Sequence, residues 1–290
     1  MDQRVIQLFD EYTHGGMNRR SFLDRLAGLV GGAAAATALL PLLENNYAHA
    51  QIVAESDPRI ASDTVQVPGV QGLTGYLVRP KAGGKLPAVL VIHENRGLNP
   101  HIKDVTRRVA TEGFLALGLD YLSPIGGTPA DEDKGREMIG TLKAPDILAS
   151  SRAAIAFLKG HASGNGKAGA VGFCWGGAAV NNLAVGEPAL DAGVAYYGRQ
   201  PPADQVAKIQ APLMLHYAGL DEPVNTGIPA YESALKAAGK TYEIHMYDGA
   251  NHAFNNDANA ARYSKVAADL AWGRTIAFFK KHLADGAQRS

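Results

Sequence analysis

From Pro87 onward, apolar runs of strand length alternate with longer stretches at helical spacing. Pro87-Ala88-Val89-Leu90-Val91-Ile92-His93 is apolar almost throughout, as expected of a strand covered on both faces, where neither side turns toward water. The pattern then predicts a helix over about 99–112, a strand at 114–119 and a helix over about 145–160. A strand at 167–171 runs into a helix beginning near Ala178; strands follow at 192–197 and 212–217, a helix at 227–238, a strand at 241–247 and a closing helix over about 260–283. Upstream, 64–68 and 75–80 read as two strands joined by a glycine-containing turn, an antiparallel start. Strands alternating with helices imply an α/β fold with a mostly parallel central sheet and helices on both faces. The elements follow one another too closely for a large cap domain. Residues 123–144, rich in Gly, Pro and charge, are the longest irregular stretch and are expected to border a pocket.

The first fifty residues break the alternation. Asn18-Arg19-Arg20-Ser21-Phe22-Leu23 precedes an apolar, Ala/Gly-rich run from Leu26 to Leu43, and Ala48-His49-Ala50 follows. Twin arginines, a weakly hydrophobic segment and a small-residue cleavage pattern resemble a twin-arginine (Tat) export signal. The expectation is that residues 1–50 are removed by the Tat export machinery's route, that the mature chain starts near Gln51 in the periplasm or outside the cell, and that it keeps no stable membrane span. Residues 51–63 read as an extended lead-in and 64–285 as one domain. The 290 residues carry no net charge, so nothing electrostatic points to nucleic acid or an anionic membrane as partner.

The chemistry concentrates at Gly172-Phe173-Cys174-Trp175-Gly176-Gly177, between an apolar strand and a helix. A strand turning sharply into a helix through glycines is a nucleophile elbow, here with Cys where Ser is usual. The turn exposes the central side chain near a helix N-terminus, whose free N–H groups favour a thiolate. Cys174 is the only cysteine, which excludes an intrachain disulfide and a thiolate metal cluster. A buried, inert thiol is the alternative, but the elbow favours a nucleophile. A nucleophile needs a base, and the base an orienting acid. His252, in Asp248-Gly249-Ala250-Asn251-His252, and Asp221, in Gly219-Leu220-Asp221-Glu222-Pro223, follow predicted strands in the order acid, then His; Asp248 is the rival acid. His93, His216 and His245 fall at strand positions and read as structural. The loop after the first buried strand, His93-Glu94-Asn95-Arg96-Gly97, places Asn95 to give one oxyanion-hole N–H and Trp175 the other.

Together, G-F-C-W-G-G, H-E-N-R-G, A-Y-Y-G, D-E-P-V and A-N-H-A-F resemble the dienelactone hydrolase (carboxymethylenebutenolidase) family of α/β-hydrolases over roughly residues 64–283. The resemblance implies a Cys174–His252–Asp221 triad that cleaves a lactone or small ester without metal or organic cofactor, and a Glu94 that contacts the thiol and helps take its proton. It also implies two arginines for a substrate carboxylate. Arg136 lies close to one; the other, four residues after the His, is Asn256 here, which supplies no charge. Tyr197 is placed to line the pocket. A broader carboxylesterase or thioesterase, or a secreted binding protein without turnover, are the other functions this fold could carry.

Overall fold

A computed structural model of the chain describes residues 1–15, 17–48 and 51–284. Three N-terminal helices, α1 (Gln3–Thr13), α2 (Arg19–Val30) and α3 (Ala33–Leu43), precede the sheet. The strands are β1 (Ile60–Gln66), β2 (Thr74–Pro80), β3 (Leu86–Ile92), β4 (Leu115–Asp120), β5 (Gly164–Phe173), β6 (Ala192–Tyr196), β7 (Leu213–Ala218) and β8 (Tyr242–Tyr247). Between and after them lie α4 (Pro100–Thr111), α5 (Glu132–Thr141), α6 (Ala144–Gly160), α7 (Trp175–Gly186), α8 (Glu222–Asn225), α9 (Ile228–Ala237) and α10 (Lys265–Leu283). The eight strands form one sheet in the order β1-β2-β4-β3-β5-β6-β7-β8. The first two pairings are antiparallel and the rest parallel.

The apolar run at 87–93 becomes a strand with both faces covered. Val89 and Val91 join one core with Ile102 and Val105 of α4 and Phe278 and Phe279 of α10. Ala88, Leu90 and Ile92 point the other way, to Ile155 and Leu158 of α6 and Val180 and Leu183 of α7. The period-2 alternation of a strand thus splits one hydrophobic segment between two cores.

The structure differs from the sequence reading in two places. Part of the expected irregular stretch 123–144 is α5, capped by Asp131, whose carboxylate accepts from the N–H groups of Asp133 and Lys134. Gly135 and Gly140 weaken its helical signal, and the cap with two acidic residues in the first turn compensates. The extended lead-in also ends early, because β1 already starts at Ile60.

The helices α1–α3 have a core of their own, in which Val5, Leu8, Phe9 and Tyr12 meet Phe22, Leu26 and Leu43. The 3- and 4-residue spacing on α1 puts those four side chains on one face. Among the described residues no single helix is long and apolar enough to cross a membrane; α2 and α3 pass that test only as a pair, and the chain bends by 112° between them.

Candidate active site

The carboxyl ends of the parallel strands carry the reactive groups, as in open α/β sheets generally. Register keeps those ends level: Ile92 sits beside Gly172, Phe173 beside Tyr196, and Tyr196 beside His216. Cys174 follows β5 directly, Tyr197 follows β6, and Glu94, Asp221 and His252 lie just beyond β3, β7 and β8.

At the elbow Cys174 takes φ 56° and ψ −113°. A Cβ on Gly172 would collide with the carbonyl of Gly176, and one on Gly176 with the carbonyls of Ile92 and His93. Only glycine lets α7 start this close to β5 and β3, so the two small residues are the steric condition for the turn. Among the described residues, the non-glycine residues at positive φ are Cys174, Tyr197 and Ala253. All three border the same site, which is where backbone strain is expected to gather.

His252 and Asp221 form the closest pair. Nδ1 of His252 lies 2.6 Å from Oδ2 of Asp221, and both side chains are buried. The loops that carry them are tied together, since the N–H of Leu220 donates to the carbonyl of Ala250. Asp248, the rival acid, is exposed. The carboxylate fixes the proton on Nδ1, leaving the Nε2 lone pair free. Nε2 of His252 is buried without a hydrogen-bond partner. A ring nitrogen of His252, a ring nitrogen of His14 and Sγ of Cys174 all lie within 4.8 Å of one another.

Burial pushes the Cys174 thiol up, but the charges of His252 and His14 outweigh it and bring it down to about 6. Burial likewise disfavours charge on His252, and the neighbouring Cys174 and Asp221 charges overcome it, holding the imidazole well above its ordinary value. Both shifts describe one arrangement, a thiolate beside an imidazolium.

Glu94 lines the same small cavity as Cys174. Its Oε2 accepts from Nδ2 of Asn256 at 2.8 Å, so Asn256 holds this carboxylate. The sulfur lies 3.4 Å from Nε2 of His14. Asn95 borders the cavity too, with its side-chain amide donating to the carbonyl of Thr13 at 2.6 Å. Trp175 is the first residue of α7, where a backbone N–H has no partner within the helix; its ring stacks on His93 at 5.3 Å. Burial keeps His93 neutral. His216 is enclosed by Thr275 and Tyr247 and lies away from the cavity.

Tyr197 is buried, its ring 4.9 Å from that of His252 and its hydroxyl without a partner. Burial, with the Glu94 and Cys174 charges nearby, raises its phenol well above the usual range, so it remains a donor. Arg136 is held by the N-terminal helix: it donates to the carbonyl of Tyr12 at 3.1 Å and lies over that ring at 4.2 Å.

Sequence reasoning missed Arg262. This guanidinium is only 5% exposed, lines the cavity beside Cys174 and pairs with Asp10 of α1 at 2.8 Å. Its Nε has no hydrogen-bond partner. It lies within a run of turns from Asn251 to Tyr263 that has no periodicity to read.

Comparison with known proteins identifies the family. The Dienelactone hydrolase family model matches residues 73–283, and a YqhI-like model matches residues 1–32. A protein of Methylorubrum extorquens, "Putative carboxymethylenebutenolidase", is 32% identical over 252 residues, 81% of this chain and 86% of its own length. One from Bradyrhizobium sp, "Probable 2-oxo-3-(5-oxofuran-2-ylidene)propanoate lactonase", is 33% identical over 240 residues, 77% of this chain and 96% of its own. The crystal structure titled "Putative Dienelactone Hydrolase" from Klebsiella pneumoniae superposes with TM-score 0.69 at 30% identity, covering 77% of this chain and 99% of that one. With a family model spanning most of the sheet and its helices, and with relatives matched along nearly their whole length, this chain belongs to the dienelactone hydrolase family of α/β-hydrolases.

Proposed function

We propose that the chain hydrolyses a lactone or small carboxylic ester through a Cys174–His252–Asp221 triad. The observation that carries this reading is the strained elbow, which presents Cys174 beside an imidazole already oriented by a buried carboxylate. The thiolate attacks the acyl carbonyl, and the N–H groups of Trp175 and Asn95 receive the oxyanion. The C–O bond breaks, the imidazolium of His252 protonates the departing oxygen, and a thioester remains on Cys174. His252 then takes a proton from water, hydroxide adds to the thioester, and the acid leaves with the thiolate restored.

A panel of lactones and esters, followed by mass spectrometry of the quenched enzyme, tests this. Turnover with an acyl mass on the peptide containing Cys174 supports it. No turnover and no adduct across the panel overturns it. Turnover of neutral aryl esters alone favours the broader esterase.

The thiol's position predicts the pH profile. Below about 6 the sulfur is protonated and non-nucleophilic, and above it thiolate predominates. kcat/KM is therefore expected to rise with pH along an acid limb centred near 6, as initial rates between pH 4.5 and 8 would reveal; flat rates across that interval contradict it.

Arg262 favours a substrate with an anionic group close to the reacting carbonyl. It brings to the cavity the positive charge that Asn256 lacks, from a different point in the chain. Arg262→Gln is expected to raise KM for a carboxylate-bearing ester by about ten-fold or more while leaving a neutral ester of equal size within about two-fold. Equal effects on both substrates would assign Arg262 to holding Asp10 alone.

Residues 1–50 admit a second reading, export and removal as a Tat signal, favoured by Arg19-Arg20-Ser21-Phe22-Leu23 ahead of Ala48-His49-Ala50. N-terminal sequencing of the protein isolated from cells decides it. A start at Gln51 supports removal, and a start at Met1 or Asp2 excludes it.

A further inference from the structure

The N-terminal helices reach the catalytic sulfur. Helix α1 ends at Thr13, and His14 is its C-terminal cap. Nδ1 of His14 lies 2.7 Å from the carbonyl of Asp10. A carbonyl can only accept, so Nδ1 carries the proton and the Nε2 lone pair is free. That Nε2 faces Sγ of Cys174 at 3.4 Å, and the His14 ring stands edge-on to His252 at 4.6 Å and 90°. The sulfur therefore sees two imidazoles, each with its proton fixed on the far nitrogen, one by the Asp10 carbonyl and one by Asp221.

Several anchors hold α1 in this position. Gln3 donates to Asn251 at 2.7 Å, next to His252 in sequence. Asp10 pairs with Arg262, Tyr12 donates to Asp133 at 2.6 Å, and the Thr13 carbonyl accepts from Asn95. At the other end of the segment, the carbonyl of Leu43 accepts from Asn259 at 2.5 Å and the N–H of Asn46 donates to Ala258 at 2.7 Å. The space left between this segment and the sulfur is about 10 Å³. That is about the room one water needs, so the N-terminal segment covers the sulfur closely.

We propose that His14 is a further catalytic residue, a second imidazole delivered by the N-terminal helices that takes up the Cys174 proton in the resting enzyme. The S–H proton passes to Nε2 of His14 or of His252, the sulfur keeps the bonding pair as thiolate, and one imidazolium results; nothing else is consumed. The charged or titratable groups around the sulfur are His14 from α1, Glu94 and Arg96 from the loop after β3, Tyr197 after β6, His252 after β8 and Arg262 beyond it. Of these, His14 lies within hydrogen-bonding range of Sγ and His252 brings a ring nitrogen within 4.8 Å of it, and either imidazole can accept its proton.

The inference rests on the thiol chemistry proposed above and on residues 1–48 remaining in place, which intact mass establishes before the test. The measurement is the rate of Cys174 alkylation by iodoacetamide against pH, with wild type and His14→Gln compared as full chains. This needs no substrate, so it stands apart from ester turnover. The expected result is a midpoint about one pH unit higher in His14→Gln, a rate about five-fold lower near pH 6, and convergence near pH 9, where the thiol is ionised in both. His14→Asn repeats the test if the Gln variant does not fold. Superimposable profiles for wild type and variant, with His252→Gln moving the midpoint, would reduce His14 to packing and overturn the proposal. Loss of ester turnover everywhere with the shift in alkylation intact would instead overturn only the hydrolytic reading.

Discussion

Cys174→Ala is expected to lower kcat for any ester the wild type turns over by at least about 10⁴-fold, about 5.5 kcal/mol of transition-state stabilisation. The methyl group offers no electron pair, so the reaction loses its covalent route. On the mechanism proposed, what remains is water attack helped by the N–H groups of Trp175 and Asn95, the kind of residual catalysis left when a triad member is removed. The substitution should leave the fold alone, because it removes one buried sulfur atom beside an existing small cavity and the strained φ of 56° is tolerated equally by Ala and Cys. Steady-state rates with matched thermal melts check this. A variant within ten-fold of wild type would show that Cys174 is not the nucleophile, and one that melts far below wild type would show that the sulfur has a packing role.

Cys174 could be placed from the sequence because its environment is local. The apolar strand, the flanking glycines and the helix that follows all lie within about twenty residues, and the clash of a Cβ at Gly172 or Gly176 with neighbouring carbonyls explains why the spacing is so readable. Asp221 and His252 were legible for a related reason: Asp221 lies a few residues past the buried strand β7 and His252 a few past the edge strand β8, and register sets where strand ends meet. Arg262 and His14 were not legible. Arg262 arrives through successive turns at Asn251, Ala253, Asn256 and Asn259, held by single backbone hydrogen bonds that leave no hydrophobic period. His14 lies in a segment whose arginine pair and Ala/Gly run read as an export signal, although Val5, Leu8, Phe9 and Tyr12 spell an amphipathic helix seeking a surface. What that helix covers is decided by contacts more than a hundred residues away, and no pattern within it encodes them.

The second large effect is expected at His252. His252→Gln should reduce kcat/KM by about 10³–10⁴-fold and raise the midpoint of Cys174 alkylation by more than His14→Gln does. Two losses act together. The Gln amide cannot shuttle a proton between sulfur, leaving group and water, and the positive charge that holds the thiol near 6 disappears while the burial that pushes it up remains. His252 lowers the thiol more than His14 does, and it is braced by Asp221 at 2.6 Å. The variant also leaves Asp221 a buried carboxylate without its cation, so some loss of stability accompanies the loss of rate. Asp221→Asn separates the two effects: the imidazole stays, but an amide facing Nδ1 no longer fixes the proton there, and a fall of about 10⁴-fold with a smaller change in melting temperature is expected. If both variants kept wild-type alkylation profiles, the thiol would owe its ionisation to something other than this pair, and the acid limb of turnover would have to be assigned elsewhere.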